Sequence, residues 1–155
     1  MTSRAHTVSI RKQVVLSVGL AALLLAWRIP TDRDVVVAEA PKPVMMTRIY
    51  TGADGLSHAE EIPMTLSGSG VSQTFKAAGA QFSRRAPGPA SDWHVGPRRQ
   101  FVITLSGRAQ LEVAGGKKVP VGPGHITLIE DTTGKGHITQ NLGPDDRIVV
   151  TIPLE

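Results

Sequence analysis

Two stretches in the second half of this 155-residue chain hold side chains that can ligate a metal or carry a proton. In the first, Gly88, His94, Gly96, Gln100 and Gly107 are separated by five, one, three and six residues. In the second, Thr132, Gly134, His137 and Asn141 are separated by one, two and three. An imidazole such as that of His94 or His137 binds divalent transition metals through a ring nitrogen, and it can also take or give a proton. Gln100 adds a neutral amide, a weaker donor than a carboxylate and one without charge to offset a cation. Asp92 stands two residues before His94 and would share a face with it on an extended chain. Glu130 and Asp131, just before Thr132, are a second source of carboxylate. The chain has no Cys, which excludes disulfides, thiolate metal sites and a thiol nucleophile. It also lacks a Gly-x-Ser-x-Gly elbow and a His-Glu-x-x-His pair.

The spacing of these two stretches resembles the two motifs of the cupins. The usual first motif has a second His at the position of Gly96 and a Glu at that of Gln100, and the usual second motif has Pro at that of Thr132. In cupins the two motifs meet in the mouth of a small barrel, where three His and one Glu commonly hold one divalent transition metal. Carried over by position, this chain offers His94, Gly96, Gln100 and His137, so the resemblance implies the fold more strongly than a metal. His94 and His137 would be the metal ligands, with Gln100 or Asp92 as a third, since a stable site usually needs three protein donors. Without a metal, the same His pair serves proton transfer or recognition, with Gln100 orienting a carbonyl or hydroxyl of a small ligand. A further reading is an inert polar cluster in which these side chains satisfy one another and a buried water.

The neighbouring residues are open to plainer readings. Arg98 and Arg99 precede the strongest strand, and only one of two adjacent strand residues can face the barrel mouth. Arg98 there would bind a carboxylate or phosphate of the ligand; on the turn after Pro97 it is surface charge. Trp93 either stacks on a ligand or packs in the core. Thr132 to His137 lacks the flanking residues of a phosphate loop, and its glycines suit a tight turn that delivers His137. His58 and His125 fit no ligand spacing, and His125 is expected to be exposed.

Short apolar runs cut by 16 Gly and 11 Pro supply the frame for these residues. No helical period runs through residues 46–155, so the expected class is all-β, and the resemblance makes it a small cupin-type barrel or jelly roll. Strands are expected at Ser72–Ser83, Gln100–Leu105, Ala109–Val113, Lys118–Val121, His125–Ile129, Gly136–Gln140 and Arg147–Ile152, with Gly115-Gly116 as a two-residue hairpin turn. Met46 to Ser67 lies outside the motifs and would be an extra edge strand, a cover for one sheet, or a segment that pairs with a second copy. Cupin barrels often pair this way, so a homodimer is expected. The basic balance of 17 Lys/Arg against 13 Asp/Glu is spread without a basic, aromatic-interleaved stripe, which excludes a nucleic-acid surface.

Residues 1–40 read as a separate object. Arg4, Arg11 and Lys12 precede an uncharged run over residues 13–27, the pattern of an export signal or short membrane tether. The expected location is therefore exported, periplasmic or anchored in the inner membrane, and cytoplasmic if translation begins at Met46. The expected function is small-molecule binding by a single cupin domain over residues 46–155, with a metal-dependent oxygenase or isomerase and an inert, dimerising barrel as alternatives.

Overall fold

The computed structural model describes residues 41–155, which form nine strands and one 3-10 turn. The leader expected over residues 1–40 and the tether over residues 13–27 lie outside the described residues. Among the described residues, no helix is long and apolar enough to cross a membrane.

Short apolar runs satisfy their backbone groups by pairing with one another. β1 (Met45–Thr51) and β2 (Ser57–Pro63) form a hairpin, followed by β3 (Gln81–Arg85), β4 (Gln100–Ser106), β5 (Arg108–Glu112), β6 (Lys118–Val121), β7 (Ile126–Glu130), β8 (Ile138–Leu142) and β9 (Arg147–Pro153). Six strands join in the order β2-β1-β7-β4-β9-β3, and three in the order β6-β5-β8. β1 lies parallel to β7, and the remaining ladders are antiparallel.

The two sheets pack face to face through Ile49, Ile129, Ala109, Leu111, Val119 and Val121. A second apolar cluster covers the outer face of the large sheet, where Met46, Phe101, Leu128 and Leu154 gather Ile62, Met64 and Phe75. β4 serves both clusters, because successive side chains of a strand point to opposite faces. Val102 faces the inner cluster and Phe101 the outer one.

Three expectations change. Met46 to Ser67 does not form only an edge, since β1 sits inside the large sheet between β2 and β7. Ser72–Ser83 is not one strand; the ladder begins at Gln81, and Phe75 packs edge-on against Phe101 at 4.9 Å between ring centres. Covering the exposed face of Phe101 takes this segment out of the sheet. Gly115-Gly116 closes a 3-10 turn over Ala114–Gly116, with φ of 74° and 75°, and not a two-residue hairpin.

Gly107 turns the chain from β4 into β5 at φ 73°, and a Cβ there would lie 2.6 Å from Arg147 Cα. Gly116 shares the positive φ but has open space around it. Gly107→Ala should cost about 1–3 kcal/mol through backbone strain plus the clash, and Gly116→Ala distinctly less. Urea denaturation of both variants checks this, and equal losses would mean that the close approach to Arg147 contributes nothing.

Glu130 holds the outer surface of the large sheet together. It accepts from Arg48 Nε at 2.5 Å and Arg99 Nε at 2.6 Å, and Arg48 also reaches Glu60 at 2.9 Å. Burial acts to raise the Glu130 carboxyl, but hydrogen bonds from Arg99 and Arg48 outweigh it and hold the group below the usual carboxylate range. A folded carboxylate that protonates at lower pH than the unfolded one stabilises the fold above the unfolded value, and this is lost as pH falls through the folded one. Glu130→Gln should therefore be less stable than wild type near pH 7, and the gap should close below about pH 4. Thermal melts at both pH values test the sign.

Candidate functional site

The two stretches singled out in the sequence meet at one end of the barrel. Residues 91–96, ahead of β4, run beside residues 131–139, which link β7 to β8. Ser91 N donates to Thr139 O at 2.9 Å, and Gly96 N donates to Asp131 O at 3.0 Å. Between these bonds, His94 and His137 exchange both backbone hydrogen bonds, at 3.0 and 2.9 Å. Such a reciprocal pair sets the two side chains on the same face. Their rings lie 4.6 Å apart, tilted by 52°.

Glycine makes this approach possible. Gly136 sits at φ 74°, and a Cβ there would run into the carbonyl of His94. The turn before His137 is tied down by Ser57 Oγ donating to Gly136 O at 2.6 Å and Thr51 Oγ1 donating to Thr133 O at 2.9 Å. Lys135 Nζ lies 3.9 Å from the centre of the Trp93 ring, a cation–π contact worth about 0.5–1 kcal/mol at an exposed site. Trp93 thus pairs the two stretches at the rim.

Each imidazole is held by its Nδ1. In His137, only 5% exposed, Nδ1 lies 2.7 Å from Oδ2 of the fully buried Asp131. In His94, which is exposed, Nδ1 lies 3.0 Å from the main-chain carbonyl of Asp92 and 3.2 Å from Ser91 Oγ. A carboxylate and a carbonyl only accept, so both neutral rings carry their proton on Nδ1 and keep the Nε2 lone pair. Two oriented Nε2 acceptors at the barrel mouth are what the arrangement supplies.

Of the other expected residues, only Asp92 touches either imidazole through a hydrogen bond. Gln100 is half-buried on the inner face, opposite Ile129 in the ladder. Arg98 is exposed on the bend before β4, whereas Arg99 turns to the outer face and pairs with Glu130. Asp92 is exposed and meets His94 through its backbone carbonyl. Asn141 faces inward and donates to Ala86 O at 3.2 Å, which holds the connection between β3 and β4. His125 is not exposed as expected but half-buried, with Nε2 2.9 Å from Thr47 Oγ1.

The residues present do not fit a resident divalent metal. Among the described residues, no three His, Cys, Asp or Glu side chains converge to hold one. The position of the missing imidazole is closed, because a Cβ on Gly96 would run into Ile129 Cγ2. Asp131 is occupied in orienting His137, as carboxylates behind metal-bound imidazoles are, but among the described residues only His94 and His137 meet here. Its Oδ1 is buried without a partner, 3.5 Å from where that Cβ would stand.

In the sequence Asp131 is only a carboxylate near the second stretch. Its role as the anchor of His137 depends on burial, which adjacency along the chain does not reveal. Asp131→Ala should release Nδ1, so that neutral His137 shifts toward the Nε2-protonated tautomer while His94 does not, and should cost about 1–3 kcal/mol. Nitrogen-15 spectra of the two rings read this directly; an unchanged His137 would show that Asp131 does not set the tautomer.

No protein-family model and no curated protein matches the chain. Solved structures do. A cupin 2 conserved barrel domain protein from Salinispora arenicola is 23% identical, covering 47% of this chain and 59% of its own, with a TM-score of 0.38. A conserved protein with a double-stranded β-helix domain from Klebsiella pneumoniae is 24% identical, covering 47% and 63%, with a TM-score of 0.38. A predicted oxalate decarboxylase from Thermotoga maritima is 19% identical, covering 72% and 94%, with a TM-score of 0.39. The chain spans less than two thirds of the length of the first two.

Proposed function

We propose that residues 46–155 form a cupin-type domain that binds a small polar molecule at the barrel mouth without a resident metal. The observation that carries this reading is the pair of fixed imidazoles, His94 and His137, each with its Nδ1 engaged and, among the described residues, no hydrogen-bond partner at Nε2. Two oriented acceptors favour a ligand with hydroxyl or N–H donors. Gln100 lines the inner wall and can complement a carbonyl or hydroxyl, and Arg98 at the rim can engage an acidic group of the same molecule. Any metal at this mouth would need the ligand itself to complete its coordination.

A second reading rests on the Asp131–His137 contact. A carboxylate behind an imidazole fixes the tautomer and favours the imidazolium that forms when the outer nitrogen takes a proton. His137 is then a proton acceptor backed by Asp131, and His94 is its partner across the mouth. The export pattern of residues 1–40 is consistent with an extracytoplasmic ligand, and a homodimer is the assembly we expect; light scattering on the purified protein tests the latter.

The test combines metal content with ligand response. The full chain, purified without a His-tag or chelator, is measured by elemental analysis beside the His94→Ala/His137→Ala double variant and screened by thermal shift against small polyols, sugars and carboxylic acids. Binding predicts sub-stoichiometric metal in both proteins and at least one compound that raises the melting temperature of wild type but not of the variant. Near-stoichiometric metal, lost in the variant, would overturn the metal-free reading in favour of a metalloenzyme.

A further inference from the structure

The opposite end of the barrel holds a charge that the mouth does not use. β4 runs from Gln100, beside the mouth, to Thr104 at the other end, where Thr104 N donates to His125 O at 3.0 Å. Arg147, at the start of β9, lies at that end and is 5% exposed. Its Nε and Nη2 donate to a single neutral acceptor, Thr104 Oγ1, at 3.2 and 2.8 Å. A guanidinium has five N–H donors, so among the described residues three have no acceptor. Among the described residues, Arg147 makes no ion pair, although a buried cation is ordinarily matched by an anion.

A neighbouring charge makes the imbalance larger. Arg85 stands directly opposite Arg147 in the β3–β9 ladder, so both side chains project from the same face. Arg85 is exposed and, among the described residues, has no carboxylate partner either, since Asp146 pairs with Arg84 on the other face. Like charges in directly opposed positions repel. Burial, and then the charge of Arg85, push Arg147 down to about 10. The inner wall also carries the hydroxyls of Thr104 and Thr127, each 1% exposed, and among the described residues Thr127 Oγ1 is buried without a partner, whereas the Thr47 hydroxyl donates to Glu61.

We propose that Arg85 and Arg147 form a binding site for a small oxyanion, at the end of the barrel away from His94 and His137. A phosphate or a dicarboxylate would bridge the exposed guanidinium of Arg85 and the unfilled donors of Arg147. This site is separate from the mouth in residues and in position, and it does not depend on the ligand proposed there.

The test is an anion titration of the full chain at constant ionic strength. Inorganic phosphate and succinate are each exchanged for chloride, and the melting temperature is followed. A saturable rise with either dianion over chloride supports the site, and the more effective one names the chemistry, phosphoryl or carboxylate. Arg85→Gln, an exposed change that leaves the core intact, should weaken the half-saturating concentration at least about tenfold. Arg147→Met should abolish the response, while His94→Ala/His137→Ala should keep it. No rise with either dianion, or a rise that Arg85→Gln leaves unchanged, overturns the proposal.

Discussion

β4 constrains everything around it. A strand reading Gln-Phe-Val-Ile-Thr-Leu-Ser has apolar side chains on both faces and therefore needs cover on both. The small sheet covers the side of Val102, and the chain before β3 covers the side of Phe101. With β7 on one edge and β9 on the other, β4 also fixes the register of both barrel ends. Gln100 is aligned with Ile129 and Pro153, two residues from Asp131, and Thr104 is aligned with Val149 near Arg147.

From this register the mouth follows. Asp131 continues the inward-facing series of β7 past its last ladder pair and enters the barrel fully buried, where its carboxylate meets Nδ1 of His137. Backbone bonds then dictate where His94 must lie, and Gly136 allows the approach. Gly96 occupies the point where an additional imidazole would have no room against Ile129. Packing thus brings two imidazoles together at this end and leaves no room for a third at residue 96.

Much of the strand pattern was legible because β4 to β9 are short, apolar and separated by glycine or proline. Lys118–Val121 matches the expected bounds, and the other late strands agree to within two residues. The earlier half was less readable. β1 carries Thr47 and Arg48 among its apolar residues, yet it is internal, because Thr47 is buried against His125 while Arg48 is neutralised by Glu130. Ser72 to Ala80 has strand-like composition, but its use is decided by the uncovered Phe101, a partner distant in sequence. At the mouth, the spacing of His94 and His137 was informative, whereas Asp131 was one acidic residue among ten in residues 41–155. Arg147 looked like one more basic residue, and only burial separates it from the solvated ones.

The parallel pairing of β1 with β7 has a practical corollary for handling the molecule. β1 runs in the same direction as β7, so Met45 enters the domain at the Arg147 end, while β9 delivers Leu154 and Glu155 beside Gln100 at the mouth. A tag, fluorophore or surface linkage placed ahead of residue 45 therefore joins the domain at the end away from His94 and His137. The same group placed after Glu155 joins it at the Gln100 end, away from Arg147. The point of attachment alone therefore selects which end of the domain carries the added bulk, without altering a side chain at either.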